Sequence, residues 1–247
     1  APAINTAHQI RFAKILKMAA WQLGYTADVE FYTDDIATYT HALQTYAWDD
    51  ASGYYGYVQH DPNGNATGIL NYPGGGNFNM GLDGCSPLIA GICTPDQKNQ
   101  IIGHLFSEGR LWTKQGITAI DQSAPYYNSE GYWNGRVWMP HQWFFWKTML
   151  DLNEADRALE IAKTALDVWK RETDDTYNCW ENFSNQTGNG GGWHQFGALS
   201  SPVLNWYGSL FRQGTVTHGF SLWPIEQRFG VDNQSFNGKF KLFADQK

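Results

Sequence analysis

An all-α fold of antiparallel helical hairpins, carrying long aromatic Gly-rich loops and a short β-hairpin, is what this sequence predicts. Three observations lead there. Apolar residues recur at spacings of three and four in several stretches, as one face of a helix requires. Pairs of such stretches are separated by only a few residues, and short connections make neighbouring helices antiparallel. The segments between them are rich in Gly and Asn and dense in Trp, Tyr and Phe. Of the 247 residues, 16% are aromatic and only 17% charged, which excludes a disordered chain. No stretch approaches the roughly 18 consecutive apolar residues of a membrane span. The expectation is a single domain over residues 1–247.

The first helix is expected from Ala7 to Leu23, with Phe12, Ile15, Leu16, Ala19, Ala20 and Leu23 as its apolar stripe and Gly24 as its C-terminal cap. Asp28 or Asp34 caps a second helix bearing Val29, Tyr32, Ile36, Tyr39, Leu43 and Tyr46. A third begins near Thr94-Pro95-Asp96, with Pro95 suited to its first turn, and runs through Ile101, Ile102, Leu105 and Phe106. A fourth follows Met139-Pro140 and carries Trp143, Phe144, Trp146, Met149 and Leu150. Asn153 is expected to cap a fifth, whose buried face is Ala155, Leu159, Ala162, Leu166 and Trp169. A sixth covers Leu199 to Phe211. Between the helices lie three long segments, Trp48 to Pro87, Asp121 to Trp138 and Tyr177 to Gly197. In the first, Asn63-Gly64 signals a hairpin turn. Loops this long in a compact domain are usually functional or disordered, and their aromatic content argues against disorder. The helices therefore read as scaffold and the loops as site.

The net charge of −7 argues against nucleic acid as a partner. No metal motif occurs, the histidines are scattered, and no cofactor is implied. Cys85, Cys93 and Cys179 are an odd set, so one Cys85–Cys93 bridge and three buried thiols are both open. N-x-S/T sequons at Asn65, Asn182, Asn185 and Asn233 weakly favour secretion, which is the expected localisation.

Gly188-Asn189-Gly190-Gly191-Gly192 lacks the Lys-Ser/Thr ending of a phosphate cradle and reads as a flexible turn presenting Trp193. Four carboxylates lie in or near the aromatic loops: Asp83, Asp121, Glu130 and Glu181. Glu181, in Cys179-Trp180-Glu181-Asn182-Phe183, is the most suggestive. A carboxylate beside apolar rings suits acid–base work, and equally could brace a loop. Aromatics with amides and carboxylates make the surface a carbohydrate needs, since sugar C–H faces meet rings and hydroxyls meet polar groups. Trp143 and Trp146 fit helix packing; Trp133, Trp138 and Trp193 fit a site.

The run Gly131-Tyr132-Trp133-Asn134-Gly135-Arg136-Val137-Trp138-Met139-Pro140 resembles the Tyr/Trp-Trp-Arg-Gly-x-x-Trp signature of glycoside hydrolase family 63, which is related to the trehalases. Glu181-Asn182-Phe183 with Gln186-Thr187-Gly188 is similar to that family's Glu-Asn-Tyr…Thr-Gly segment, and Phe196-Gly197-Ala198-Leu199-Ser200-Ser201 to the stretch that follows it. Gly84-Cys85-Ser86-Pro87-Leu88 and Leu111-Trp112…Gly116-Ile117 fit the earlier part of the pattern. The likeness runs from about residue 10 to about residue 220. It departs where Asn134 stands in the signature Arg position, with Arg136 displaced by two.

The resemblance implies an (α/α) toroid and inverting hydrolysis of α-linked glucosides or related oligosaccharides, with Glu181 as general base. It places Trp133, Arg136, Trp138, Trp193 and Gln195 along the sugar, with Tyr132, His141 and Gln142 also assigned to substrate binding. Asp83, in Gly81-Leu82-Asp83-Gly84-Cys85-Ser86-Pro87, is the candidate second carboxylate. A toroid of six hairpins needs about twelve helices and the pattern yields six or seven, so the chain reads as about half of one. A second chain, an upstream segment or a homodimer would complete it. The competing readings are a polysaccharide lyase using Tyr127 or His141 as base and a non-catalytic sugar-binding half-domain.

Overall fold

The computed structural model describes residues 2–211, which divide into two compact units, one up to Phe106 and one from Ser107 onward. The sequon at Asn233 and the end of the family-like stretch lie outside the described residues.

In the first unit, helices α1 (Ala3–Leu23) and α2 (Thr26–Tyr46) form an antiparallel hairpin. Gly24 adopts the left-handed conformation expected of it, φ 78°, and so ends α1. The buried face of α1 shares only Ala20 with the expected stripe. Ala3, Ala7, Ile10, Ala13, Met18 and Ala20 face inward, whereas Phe12, Leu16 and Leu23 are exposed. Small side chains let a neighbouring backbone approach closely, so the alanine side is the one that packs. Of α2, only Leu43 is buried. The helix starts at Thr26, ahead of both expected acidic caps.

The first long segment then forms strand pairs. β1 (Trp48–Asp49) pairs with β2 (Tyr54–Tyr55), and β3 (Val58–His60) with β4 (Ala66–Ile69). The Asn63-Gly64 turn is where the sequence placed it, with Gly64 at φ 86°. Asp61 closes it by accepting the backbone N–H groups of Asn63 and Asn65, each at 2.9 Å. A short helix α3 (Leu82–Cys85) and a 3-10 turn (Ser86–Leu88) lead to α4 (Pro95–Phe106). Thr94 and Gln97 cap α4 reciprocally: Thr94 N–H donates to Gln97 Oε1 at 2.9 Å, and Gln97 N–H donates to Thr94 Oγ1 at 3.3 Å.

The second unit holds the pair β5 (Trp112–Thr113) and β6 (Gly116–Ile117), then the hairpin of α5 (Met139–Asp151) and α6 (Ala155–Thr176). Asn153 does not cap α6. It takes a left-handed conformation at φ 63° in the turn, and Glu154 stands at the N-cap. Asn tolerates that conformation better than other side chains. The inward face of α6 is centred on Ala158, Ile161, Ala165 and Val168. Strands β7 (Asn182–Phe183) and β8 (Gly190–Gly191) and a 3-10 turn (Gly197–Ser200) precede α7 (Ser201–Phe211).

None of the three cysteines is in a disulfide, which removes the Cys85–Cys93 bridge. Burial pushes the Cys93 thiol up to about 11, a shift only partly offset by the nearby Tyr55 hydroxyl. Because the thiolate is the nucleophile, Cys93 should resist alkylation at neutral pH and react progressively as pH rises toward that value. Peptide mass spectrometry of the native protein after timed iodoacetamide exposure checks this, and fast labelling of Cys93 at pH 7 would contradict it.

Candidate active site

The site is assembled in the second unit by strand pairing. Val137 and Phe183 exchange two backbone hydrogen bonds, each 2.9 Å, which join the loop before α5 to β7. Thr118 pairs with Val137 in turn. In β7–β8, Asn182 faces Gly191 and Phe183 faces Gly190. Glu181 extends this pairing by donating its N–H to the Trp193 carbonyl at 3.0 Å, and Cys179 bridges to Gln195. Residues far apart in sequence are thereby set side by side.

The aromatic part is a stack. Trp133 lies on Trp138 with ring centroids 4.2 Å apart and planes within 5°. Tyr132 meets both edge-on, at 5.1 and 4.9 Å. Trp138 is buried and its indole N–H donates to the Tyr132 carbonyl at 3.0 Å, whereas Trp133 is 60% exposed. The stack thus has a fixed inner ring and an open outer one. His141 stands beside it, 6.4 Å from each indole. Trp193 is also open, at 59%.

Glu181 is held at both oxygens. The Tyr132 hydroxyl donates to Oε1, and the Trp193 backbone N–H donates to Oε2 at 3.0 Å. The accepting carboxylate holds the Tyr132 phenol above its ordinary value, with some desolvation in the same direction.

The glycine run has a structural reason that differs from the flexible turn expected. A Cβ at Gly190 would collide with the Trp180 ring, one at Gly191 with the Arg136 guanidinium, and one at Gly192 with Glu181 Oε2. Three side chains lie over bare backbone there, and Gly192 also needs φ 73°. Arg136 is tied down by Glu130 at 2.6 Å and by Asn182 Oδ1 at 3.2 Å, and Ser184 donates to the other Glu130 oxygen at 2.7 Å.

The remaining expectations fall out as follows. Tyr132, Trp133, Arg136, Trp138, His141, Glu181, Trp193 and Gln195 all lie in the second unit, and the strand pairing above brings most of them together. Gln142 has another job. It is fully buried, receiving the Ile117 N–H at 2.8 Å and donating to the Ile117 carbonyl at 2.7 Å, so its amide braces β6 against α5. Asp83 lies in the first unit, where it accepts the Tyr57 hydroxyl at 2.8 Å. Its charge there opposes the burial and the Arg11 charge that hold His8 below its ordinary value. Asp121 is buried against Arg110 at 2.6 Å and is structural. Tyr127, considered as a lyase base, has its hydroxyl bonded by the Asn185 amide at 2.9 Å. Sequence reasoning assigned no role to the Asn182 side chain, which accepts from Arg136, and read Gly192 only as part of a flexible turn, not as the backbone on which Glu181 lies.

Helical hairpins thus carry long loops that set a clamped carboxylate beside stacked indoles. A family model described as the mannosylglycerate hydrolase MGH1-like glycoside hydrolase domain matches residues 1–198, and the chain belongs to that family. The matched span includes every residue of the site. Among solved structures, an uncharacterized conserved protein from Thermus thermophilus is 21% identical, with a TM-score of 0.58 over 80% of this chain and 47% of its own. A GH63 mannosylglycerate hydrolase from the same organism, in complex with glucose, is 21% identical, with a TM-score of 0.56 over 79% of this chain and 47% of its own. A protein named sialidase is 12% identical, with a TM-score of 0.62 over 76% of this chain and 17% of its own. At these identities the likeness is one of fold. The chain spans about half the length of the two Thermus proteins. No curated protein sequence matches it.

Gly192→Ala should disturb the carboxylate and destabilise the unit. Gly74→Ala is the control, since Gly74 has φ 102° with open space around it and should incur only backbone strain of about 1–2 kcal/mol. Thermal melts should show the larger loss for Gly192→Ala, and equal losses would mean that Glu181 does not lie against that backbone.

Proposed function

We propose that this chain is the base-bearing part of a glycoside hydrolase that cleaves α-linked glucosides or related oligosaccharides with inversion, and that Glu181 is its general base. The observation that supports this best is the Glu181 carboxylate, fixed by Tyr132 and Trp193 beside an indole stack whose outer ring is open. A sugar laid on Trp133 would bring its anomeric carbon toward that carboxylate, with a water between them. Glu181 would draw a proton from the water as its oxygen attacks the anomeric carbon and the glycosidic C–O bond breaks. Inversion also needs an acid on the opposite side of the sugar, with the two carboxyls about 6.5–9.5 Å apart to leave room for the water. Asp83 is the candidate within this chain, and a segment completing the toroid is the other source.

The chain acts with the helices that complete the toroid, whether an upstream segment, a second chain or a second copy. Support comes from its length, about half that of the Thermus structures, and from the exposed Phe12, Leu16 and Phe31 on the first hairpin.

In that active assembly, Glu181→Gln should lower kcat by about 10²–10⁴-fold with KM little changed. Sugar release followed by NMR, which also reads the anomer first formed, measures it. Hydrolysis near the wild-type rate would remove Glu181 from the mechanism.

A secretory route goes with this reading, and among the described sequons Asn65 is the one placed to carry a glycan. It is exposed in the β3–β4 turn, whereas Asn182 and Asn185 are buried at 0% and 2%. Expression through a eukaryotic secretory pathway followed by glycopeptide mass spectrometry should find Asn65 occupied and the other two empty.

A further inference from the structure

The rings of Tyr132, Trp133 and Trp138 pack as one cluster, and the sequence assigned Tyr132 with its neighbours to holding sugar. The structure gives its hydroxyl a different partner. Ring and hydroxyl point to separate tasks: the ring meets both indoles edge-on, while the O–H is committed to Glu181 Oε1. The second oxygen of the same carboxylate is taken by the Trp193 N–H at 3.0 Å. A carboxylate gripped at one oxygen can still rotate about its last side-chain bond. Gripped at both, it keeps one plane, and the lone pairs left over point in fixed directions.

We propose that Tyr132 is a positioning residue for Glu181: its hydroxyl sets the plane of the carboxylate, and its ring ties that plane to the indole stack on which the sugar lies. This rests on Glu181 being the base. The arrangement makes base orientation depend on an intact stack, because Trp138 also fixes the Tyr132 backbone through its indole N–H. The carboxylate is then aligned before substrate arrives, which is the preorganisation that a small, well-aimed water attack needs. It also separates Tyr132 from Trp133, whose face is the sugar's.

Tyr132→Phe is the discriminating variant, since it keeps the ring and its edge contacts and removes only the donor. In the active assembly it should lower kcat by about tenfold and leave KM within about twofold, in line with the loss of one hydrogen bond to a charged group. If Tyr132 only stacks or contacts sugar through its ring, Tyr132→Phe will be silent in both constants, and the proposal is wrong. If its hydroxyl binds sugar, KM will rise while kcat holds, and the proposal is equally wrong. A second measurement needs no activity. With ring-labelled tyrosine followed by NMR, Glu181→Gln should bring the Tyr132 phenol titration down toward the ordinary tyrosine range, because the charged acceptor that raises it has gone. An unchanged titration would show that the two groups are not bonded in solution. Retained hydrolysis in Glu181→Gln, together with the titration shift, would instead fault only the assignment of the base.

Discussion

The Val137–Phe183 backbone pair is the constraint on which the site depends. Its two hydrogen bonds cross 46 residues of sequence, including the whole α5–α6 hairpin, and place the tyrosine–tryptophan loop beside the Glu181 segment. Every later relation follows from that register. Phe183 in place puts Asn182 opposite Gly191 and Glu181 beside Trp193. A slip of one residue would turn Glu181 to the other side of the strand, away from Tyr132. The buried amide of Asn185 reinforces the register, donating to the Gly135 carbonyl at 2.6 Å and to the Tyr127 hydroxyl at 2.9 Å. The pairing is short, so it relies on such side-chain bracing, and the helices supply rigidity behind it.

Charge is placed with equal care. Arg136 lies over the same glycine backbone as Glu181, yet its guanidinium is turned onto Glu130 and Asn182. The hydrogen bonds that hold Glu181 come from neutral donors, a phenol and a backbone amide. Glycine makes this geometry possible in space: three side chains lie on the backbone of Gly190, Gly191 and Gly192 because that backbone has none of its own.

Much of the architecture was legible in the sequence. The helices, the Gly24 cap, the Asn63-Gly64 hairpin and the Thr94-Pro95 start of α4 were each written locally, in periodicity or in a residue with one strong preference. What was not legible depended on partners distant in sequence. Phe12, Leu16 and Leu23 look like a core stripe by hydrophobicity, but closeness of packing selected Ala3, Ala7 and Ala13 instead. Gln142 looked like a sugar ligand because it follows the signature; only the position of Ile117 shows that its amide is already engaged. Glu181 stood out as a candidate because it sits among aromatics and in a segment that resembles the family's. The meaning of Gly192 was invisible, because a glycine's reason is whatever occupies the space beside it.

The openness of the second unit bears on the chemistry itself. A base that activates water can stand near solvent, since its reactant is solvent. A leaving group cannot be protonated from the same side, because inversion puts the acid and the water on opposite faces of the sugar. Trp133, more than half exposed and stacked on the buried Trp138, offers one open aromatic face. On the proposed reading, the clamped carboxylate and the open stack would supply the base and one face of an inverting site, and the acid would be a separate group.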